Sequence, residues 1–326
     1  KLAQPPVMGV FSCYYIRVEK LPFMPNKHLE HPEDAVFDGK RRVLYNLKQM
    51  VTAGTNISIK YDGAPAIVFG TNPDNGRFFV GTKSVFNKVK VKINYTNEDI
   101  DKNHRGNVAD ILRLCLRHLP HIDGIAQADW IGVGGGTCYT PNTVSYNFPA
   151  AIPADIILAP HTSYDEISPD AIGRCGLSLD STYDCFFIDT TTARAGKFKY
   201  LDIAAQIVRH AFFMKVPKDK YARLYFRTFV NKFIRAGSIP SPEMMYAAVD
   251  DKYKCDVNES TFIVWHLMSQ LKQRLLDSIV VDDNVECSIG GQPTNHEGFV
   301  IVSDSPLKIV DRQVFSKANF NLNKNW

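Results

Sequence analysis

Between residues 56 and 69 the chain reads Asn-Ile-Ser-Ile-Lys-Tyr-Asp-Gly-Ala-Pro-Ala-Ile-Val-Phe. Ile57, Ile59 and Tyr61 alternate with Ser58 and Lys60, the period of two expected of a strand with one buried face. Asp62-Gly63 ends that strand and leaves Lys60 near its tip. Apolar runs at 66–69 and 77–80 flank the turn signal Asn-Pro-Asp-Asn-Gly, so an antiparallel meander is expected here. Further strands are predicted at 10–18, 124–134, 141–146, 154–164, 183–190, 296–302 and 307–310. Helices are predicted at 39–51 and 107–119, the latter packed on a sheet through Ile111, Leu112, Cys115 and Leu119.

From residue 200 the apolar period changes to that of helices. Segments 201–214, 218–236, 242–253 and 260–279 carry it, separated by Pro or Gly. The pattern divides the chain into a mainly β part at 1–199, a helical block at 200–285 and β strands again at 286–326. This is an α+β arrangement. The glycines at 132–136 lack the Lys-Ser/Thr of a phosphate loop, and Thr137 stands where a dinucleotide fingerprint ends in Gly, so a flexible hairpin tip is expected.

Composition changes this picture little. The 326 residues are 45% hydrophobic and 22% charged, as in ordinary globular proteins. The net charge of +4 leans weakly towards polyanionic partners. Seven cysteines without a Cys-x-x-Cys pair favour reduced thiols over a disulfide framework or a cysteine zinc site. No apolar run approaches the roughly 18 to 20 residues of a membrane helix, and no signal-peptide pattern opens the chain. A cytoplasmic protein without a membrane partner is therefore expected.

Lys60 is the leading candidate for chemistry. A partly desolvated lysine crowded by other cations loses its proton near neutral pH and becomes a nucleophile, whereas the plain alternative is an exposed lysine on a hairpin. Gly63 lets backbone approach a ligand. Lys83 follows the third strand closely enough to reach the same cleft, depress the pKa of Lys60 and hold a phosphate. Lys88, Lys90 and Lys92 suit a solvated basic edge equally well. Gln127 and Asp129 share a strand face, and Asp129 is a candidate for a ribose hydroxyl or a hydrated metal. Near the end, Glu297 is a candidate Mg²⁺ associate and Lys308 a phosphate contact.

Two further groups have functional and ordinary readings. His28-Leu-Glu30-His31-Pro-Glu33-Asp34 gathers metal-type donors, though a hydrogen-bonded loop supporting the cleft explains it as well. In the second helix of the block, Arg223, Arg227, Lys232 and Arg235 interleave with Tyr221, Tyr225, Phe226, Phe229 and Phe233. That pattern suits nucleic-acid contact, yet aromatics at helical spacing are usually core and the basic residues a solvated face.

Taken in order, Lys60-Tyr-Asp62-Gly63, Asp129, Glu297-Gly298 and Lys308 resemble the covalent nucleotidyltransferases: RNA ligases, DNA ligases and capping guanylyltransferases. The chain more closely resembles bacteriophage proteins described as RNA-ligase-like. That likeness rests on His28-Leu-Glu-His-Pro-Glu-Asp, Lys60-Tyr-Asp-Gly-Ala-Pro-Ala, Phe79-Val-Gly-Thr-Lys-Ser-Val-Phe-Asn-Lys, Pro141-Asn-Thr, His161-Thr-Ser-Tyr, and Glu297-Gly-Phe-Val through Lys308-Ile-Val-Asp-Arg to Phe320. Asp stands at 129 where the pattern has Glu, and Val310 replaces a second lysine, for which Arg312 or Lys317 is the candidate substitute.

The resemblance implies an ATP-grasp-like ligase core of antiparallel sheets around a nucleotide cleft, with residues 200–285 as a helical insertion. It implies ATP and Mg²⁺, a lysyl-AMP intermediate on Lys60, and RNA with 5′-phosphate and 3′-hydroxyl ends as partner. Asp62, Gly63, Lys83, Asp129, Glu297 and Lys308 are then nucleotide contacts, and Glu297 the metal-associated acid. A phage-encoded chain would act in the host cytoplasm, and virion association is compatible with it. The alternative is a phage structural or interaction protein that keeps the fold and binds nucleotide or nucleic acid without turnover.

Overall fold

A computed structural model describes residues 29–315. The strand expected at 10–18, and His28, Lys317 and Phe320, lie outside the described residues. After a 3-10 turn at Pro32–Phe37, helix α1 (Lys40–Val51) leads into β1 (Ile57–Lys60) and the hairpin β2 (Ala66–Thr71) to β3 (Phe78–Thr82). A second 3-10 turn at Lys83–Phe86 and helices α2 (Asn97–Asn103) and α3 (Gly106–His118) follow. Next come β4 (Ile125–Val133), β5 (Cys138–Tyr139), β6 (Ser145–Asn147), β7 (Ile156–Tyr164), β8 (Arg174–Cys175), β9 (Cys185–Phe187) and β10 (Ala193–Ala195). Helices α4 (Leu201–Phe213), α5 (Lys220–Ala236), α6 (Pro242–Ala247) and α7 (Glu259–Ser278) precede β11 (Ile279–Val281), β12 (Glu286–Ile289), β13 (Gln292–Thr294), β14 (Gly298–Ile301) and β15 (Leu307–Val310).

The fold is mixed α and β, with three largely antiparallel sheets. One runs β11-β10-β1-β14-β15, a second β13-β12-β6-β5, and the third β3-β2-β4-β7-β8, with β9 added parallel to β7. The helical block begins and ends on paired strands, because β10 and β11 align Ala193 with Val281. It has no core of its own among the described residues: Phe226, Phe229, Phe262 and Trp265 join one cluster with Ile57, Ile59, Phe299 and Ile309 of the five-stranded sheet. Local chemistry sets the helix limits. Asp219 accepts from the N–H groups of Tyr221 and Ala222 to start α5, and Gly237, at φ 71°, ends it in the left-handed conformation.

Several expectations need correction. Over 141–146 only the end is strand, because residues 142–144 turn around the Asp62 carboxylate instead. Segment 242–253 splits into α6 and a 3-10 turn at Asp251–Tyr253. The glycines at 132–136 are no free tip. Gly134 donates to the Asp155 carbonyl, and a Cβ there would stand 1.7 Å from the Ala154 carbonyl oxygen. Among the described residues no helix is long and apolar enough to cross a membrane.

Candidate active site

The last residue of β1 is aligned with the first of β14: Lys60 faces Gly298 across the ladder. Glu297, just ahead of Gly298, thereby meets the lysine, and its carboxylate accepts a hydrogen bond from Lys60 Nζ. On the other side of β14, Val300 is aligned with Lys308 of β15. Gly298 permits this approach, since a Cβ on it would lie 2.5 Å from a Val310 methyl and 2.6 Å from the Ile309 carbonyl oxygen.

The link from β1 to β2 crosses from the five-stranded sheet to the six-stranded one and brings Asp129 in. A Cβ at Gly63 would lie 2.6 Å from the Asp129 Cβ and 2.7 Å from the Trp130 carbonyl oxygen. Gly63 therefore makes room for β4 as well as lining the cleft. Asp62 has a different place from the one expected. It is buried, and its carboxylate accepts from Asn142 Nδ2 and the Thr143 N–H at 2.8 Å and from the Val144 N–H at 3.2 Å. Its own N–H donates to Tyr146 Oη at 2.6 Å. This carboxylate is the anchor of the 142–144 turn, and its hydrogen-bonding capacity is taken up there.

Between the sheets lies a cavity of about 300 Å³ whose wall includes Lys60, Gly63, Lys83, Asp129 and Lys308. Glu297 sits at the junction with a second, smaller cavity that also borders Lys60 and Lys308. The far wall is furnished by β4 and β7. Gln127 accepts from the Tyr164 hydroxyl at 2.9 Å, His161 Nδ1 is 2.7 Å from Thr162 Oγ1, and His161 Nε2 stands 3.7 Å from Asp129 Oδ1. Lys83, exposed, begins the 3-10 turn after β3 and reaches the rim.

Electrostatics reverse one expectation. Burial works to lower the pKa of Lys60, but the carboxylates of Glu297 and Asp129 outweigh it and hold the group above its ordinary value. The resting lysine is an ammonium ion. Glu297 is likewise raised, by burial first and then by crowding from Asp62 and Asp129, against the pull of Lys60. Lys308 is the lysine whose pKa is lowered, by burial and then by the charges of Lys60 and Arg312.

The basic residues of α5 are elsewhere, and none lines the cavity. Arg227 is paired with Glu30 at 3.0 Å and Asp38 at 2.6 Å, Arg223 is half-buried, and Lys232 and Arg235 are exposed. Phe226 and Phe229 belong to the core and Tyr225 and Phe233 pack against it, so these four aromatics are packing, whereas Tyr221 is exposed. In the acidic loop, Glu33 is fully buried and accepts from Lys272 at 2.7 Å and Arg312 at 3.0 Å. Those cations, with Arg312 also bonding Asp34, neutralise two of the donors that were weighed as metal ligands, Glu33 and Asp34.

Sequence reasoning placed Glu30 in a loop supporting the cleft but missed Arg42 and the loop at 304–306 on the cavity wall. Glu30 arrives through a bridge to Leu307, a long-range pairing without a local signal. No curated protein and no solved structure matches the chain. A family model described as a family of unknown function, DUF6267, matches residues 26–261 and 256–324. The chain, matched over most of its length, belongs to that family.

Proposed function

We propose that the chain is an ATP-dependent nucleotidyltransferase of the RNA ligase type, with a nucleotidyltransferase core in which Lys60 carries AMP from ATP to an RNA 5′-phosphate. One observation carries the reading: Lys60, Gly63, Lys83, Asp129 and Lys308, from separate strands and turns, line one cavity, with Glu297 in contact with Lys60.

For attack, the Lys60 ammonium must lose a proton, and the Glu297 carboxylate already hydrogen-bonded to Nζ is the nearest acceptor. The amine lone pair then forms a bond to the α-phosphorus of ATP. The bond from that phosphorus to the oxygen bridging the β-phosphate breaks, and pyrophosphate leaves with the electron pair. Lys308 and Lys83 offset the charge on the phosphates, and Asp129 accepts from a ribose hydroxyl. Ala159, Ile172 and Tyr164 offer the nucleobase an apolar wall. An RNA 5′-phosphate then displaces Lys60 from the AMP phosphorus. Finally an RNA 3′-hydroxyl attacks that 5′-phosphate and AMP leaves.

The donors present fit Mg²⁺. Glu297 and Asp129 are hard oxygen donors close enough to perturb each other, and they would hold it. When bound, the ion supplies charge neutralisation on the triphosphate. Of the basic residues on α5, Lys232 and Arg235 are open to an RNA strand, whereas Arg227 is engaged.

A second reading, a phage structural or interaction protein that binds nucleotide without turnover, draws on the resting state of Lys60, whose pKa is raised. One experiment separates the two. Purified protein is incubated with Mg²⁺ and α-labelled ATP, or separately GTP, and run on denaturing gels beside Lys60→Ala. Label that survives denaturation in wild type and is lost in the variant supports the covalent reading. Folded protein that takes no label from either nucleotide, and is shown by mass not to be adenylylated already, refutes it.

A further inference from the structure

The smaller cavity, of about 130 Å³, shares Lys60 and Lys308 with the larger one, and Glu297, His31, Arg312 and Phe315 complete its wall. The chain builds it by pairing: the Lys308 N–H donates to the Glu30 carbonyl at 3.2 Å, which sets His31 beside β15. Two nitrogens facing it lack partners among the described residues. His31 Nδ1 is buried with no hydrogen bond, and no hydrogen bond or ion pair engages Lys308 Nζ. A buried nitrogen left unpaired costs about 1–3 kcal/mol, so His31 Nδ1 beside the half-buried Lys308 ammonium suits a polar occupant.

The sign of the missing charge follows from the neighbours. Arg312 bonds Glu33 and Asp34, both at 3.0 Å, Lys272 bonds Glu33, and Lys60 bonds Glu297. Of the charged groups that line the cavity itself, three are cations, Lys60, Lys308 and Arg312, and one is a carboxylate, Glu297, and among the described residues Lys308 is the cation without an ion pair. His31 and Lys308 are both held below their ordinary pKa values, by burial first and, among the charges that add to it, by the surrounding cations. An anion would relieve both groups. The volume is too small for a nucleoside and suits one or two phosphate groups.

We propose that this cavity is an oxyanion subsite for a terminal phosphate, with His31 Nδ1 and Lys308 Nζ as donors and Arg312 as its fixed floor. The source of that phosphate rests on the nucleotidyltransferase reading: departing pyrophosphate, or the 5′-phosphate of RNA. Both present the same chemistry to the cavity.

The test titrates the full chain, without nucleotide, with inorganic phosphate and with pyrophosphate by calorimetry. Wild type is compared with His31→Ala, His31→Gln and a control, His118→Ala, which lines neither cavity. Thermal unfolding confirms that each variant is folded. Loss of one charge-assisted bond predicts affinity roughly tenfold weaker in both His31 variants and unchanged in the control. Equal affinity in wild type and both His31 variants, or no binding in wild type, overturns the subsite.

Labelling with α-labelled ATP is scored separately. A chain that labels but shows no His31-dependent phosphate affinity loses the subsite and keeps the nucleotidyl reading, and the reverse result does the opposite. Slower pyrophosphate-driven release of label in His31→Ala identifies pyrophosphate as occupant. Slower sealing of 5′-phosphorylated RNA by pre-labelled protein, with label release unchanged, identifies the RNA end.

Discussion

Replacing Glu297 by Gln separates the two jobs assigned to this carboxylate. The side chains of Lys60 and Glu297 are 31% and 13% exposed, so their attraction is neither that of water nor that of a dry interior. Two unit charges at about 4 Å in an effective dielectric of 20 attract by about 4 kcal/mol. Asp129 and Asp62 remain in the variant, and solvent reaches the lysine, so about half of that is lost. With burial then less opposed by about 2 kcal/mol, Lys60 in Glu297→Gln titrates below its wild-type midpoint. Competitive acetylation between pH 7 and 11, with the Lys60 peptide quantified by mass spectrometry, reads the midpoint directly.

The covalent labelling reaction moves the other way. If Glu297 accepts the proton and helps to hold the metal ion, its loss slows lysyl-AMP formation by at least about 100-fold although the amine is easier to deprotonate. An unchanged acetylation midpoint would refute the ion-pair account. Faster labelling in the variant would show that Glu297 only restrains the nucleophile.

Asp62→Ala leaves the Thr143 and Val144 N–H groups without their buried acceptor and lowers unfolding free energy by about 3 kcal/mol; a loss below about 1 kcal/mol in urea would contradict the anchoring role. Gly63→Ala drives a methyl into Asp129 and the Trp130 carbonyl, so labelling falls by at least about tenfold as the cavity wall shifts, and an unaffected rate would mean that β4 yields freely. Burial pushes the Glu33 carboxyl up, but Lys272 and Arg312 more than reverse this and hold its pKa well below the usual range. Its stabilisation is therefore full above the unfolded carboxylate pKa of about 4.3 and is lost as pH falls below it. Denaturant unfolding at pH 7 and at pH 3, well below the unfolded pKa, should show this loss in wild type and a smaller one in Glu33→Gln, which is itself weaker at pH 7 by about 3–5 kcal/mol.

The alternation at 57–61 announced a strand because Ile57, Ile59 and Tyr61 do turn into the core. Ser58 is equally buried, since the cavity and not solvent lies near its face, and a two-letter pattern does not distinguish those. The meeting of Lys60 with Glu297 was legible as an ordered set of residue types but not as a contact, because β14 pairs with β1 from the far end of the chain. The direction of the Lys60 shift was misjudged for the same reason. Reading along the chain weighs Lys83, whereas the charges that act most strongly on Lys60 in space are those of Glu297 and Asp129. Arg227 looked available until Glu30 and Asp38, from a separate segment, closed on it.

The Asp62 anchor has a consequence for reading related chains. The Asp62 carboxylate ties the end of β1 to the 142–144 turn, a role in building the sheet junction that is independent of nucleotide handling. Asp62 and Gly63 therefore serve assembly, while on the proposed reading it is Lys60 and Glu297 that carry the reactivity. A relative that kept Asp-Gly but replaced the lysine would retain a formed cavity with no nucleophile in it. On the proposed reading, such a chain would still hold the nucleotide but could not take it up covalently.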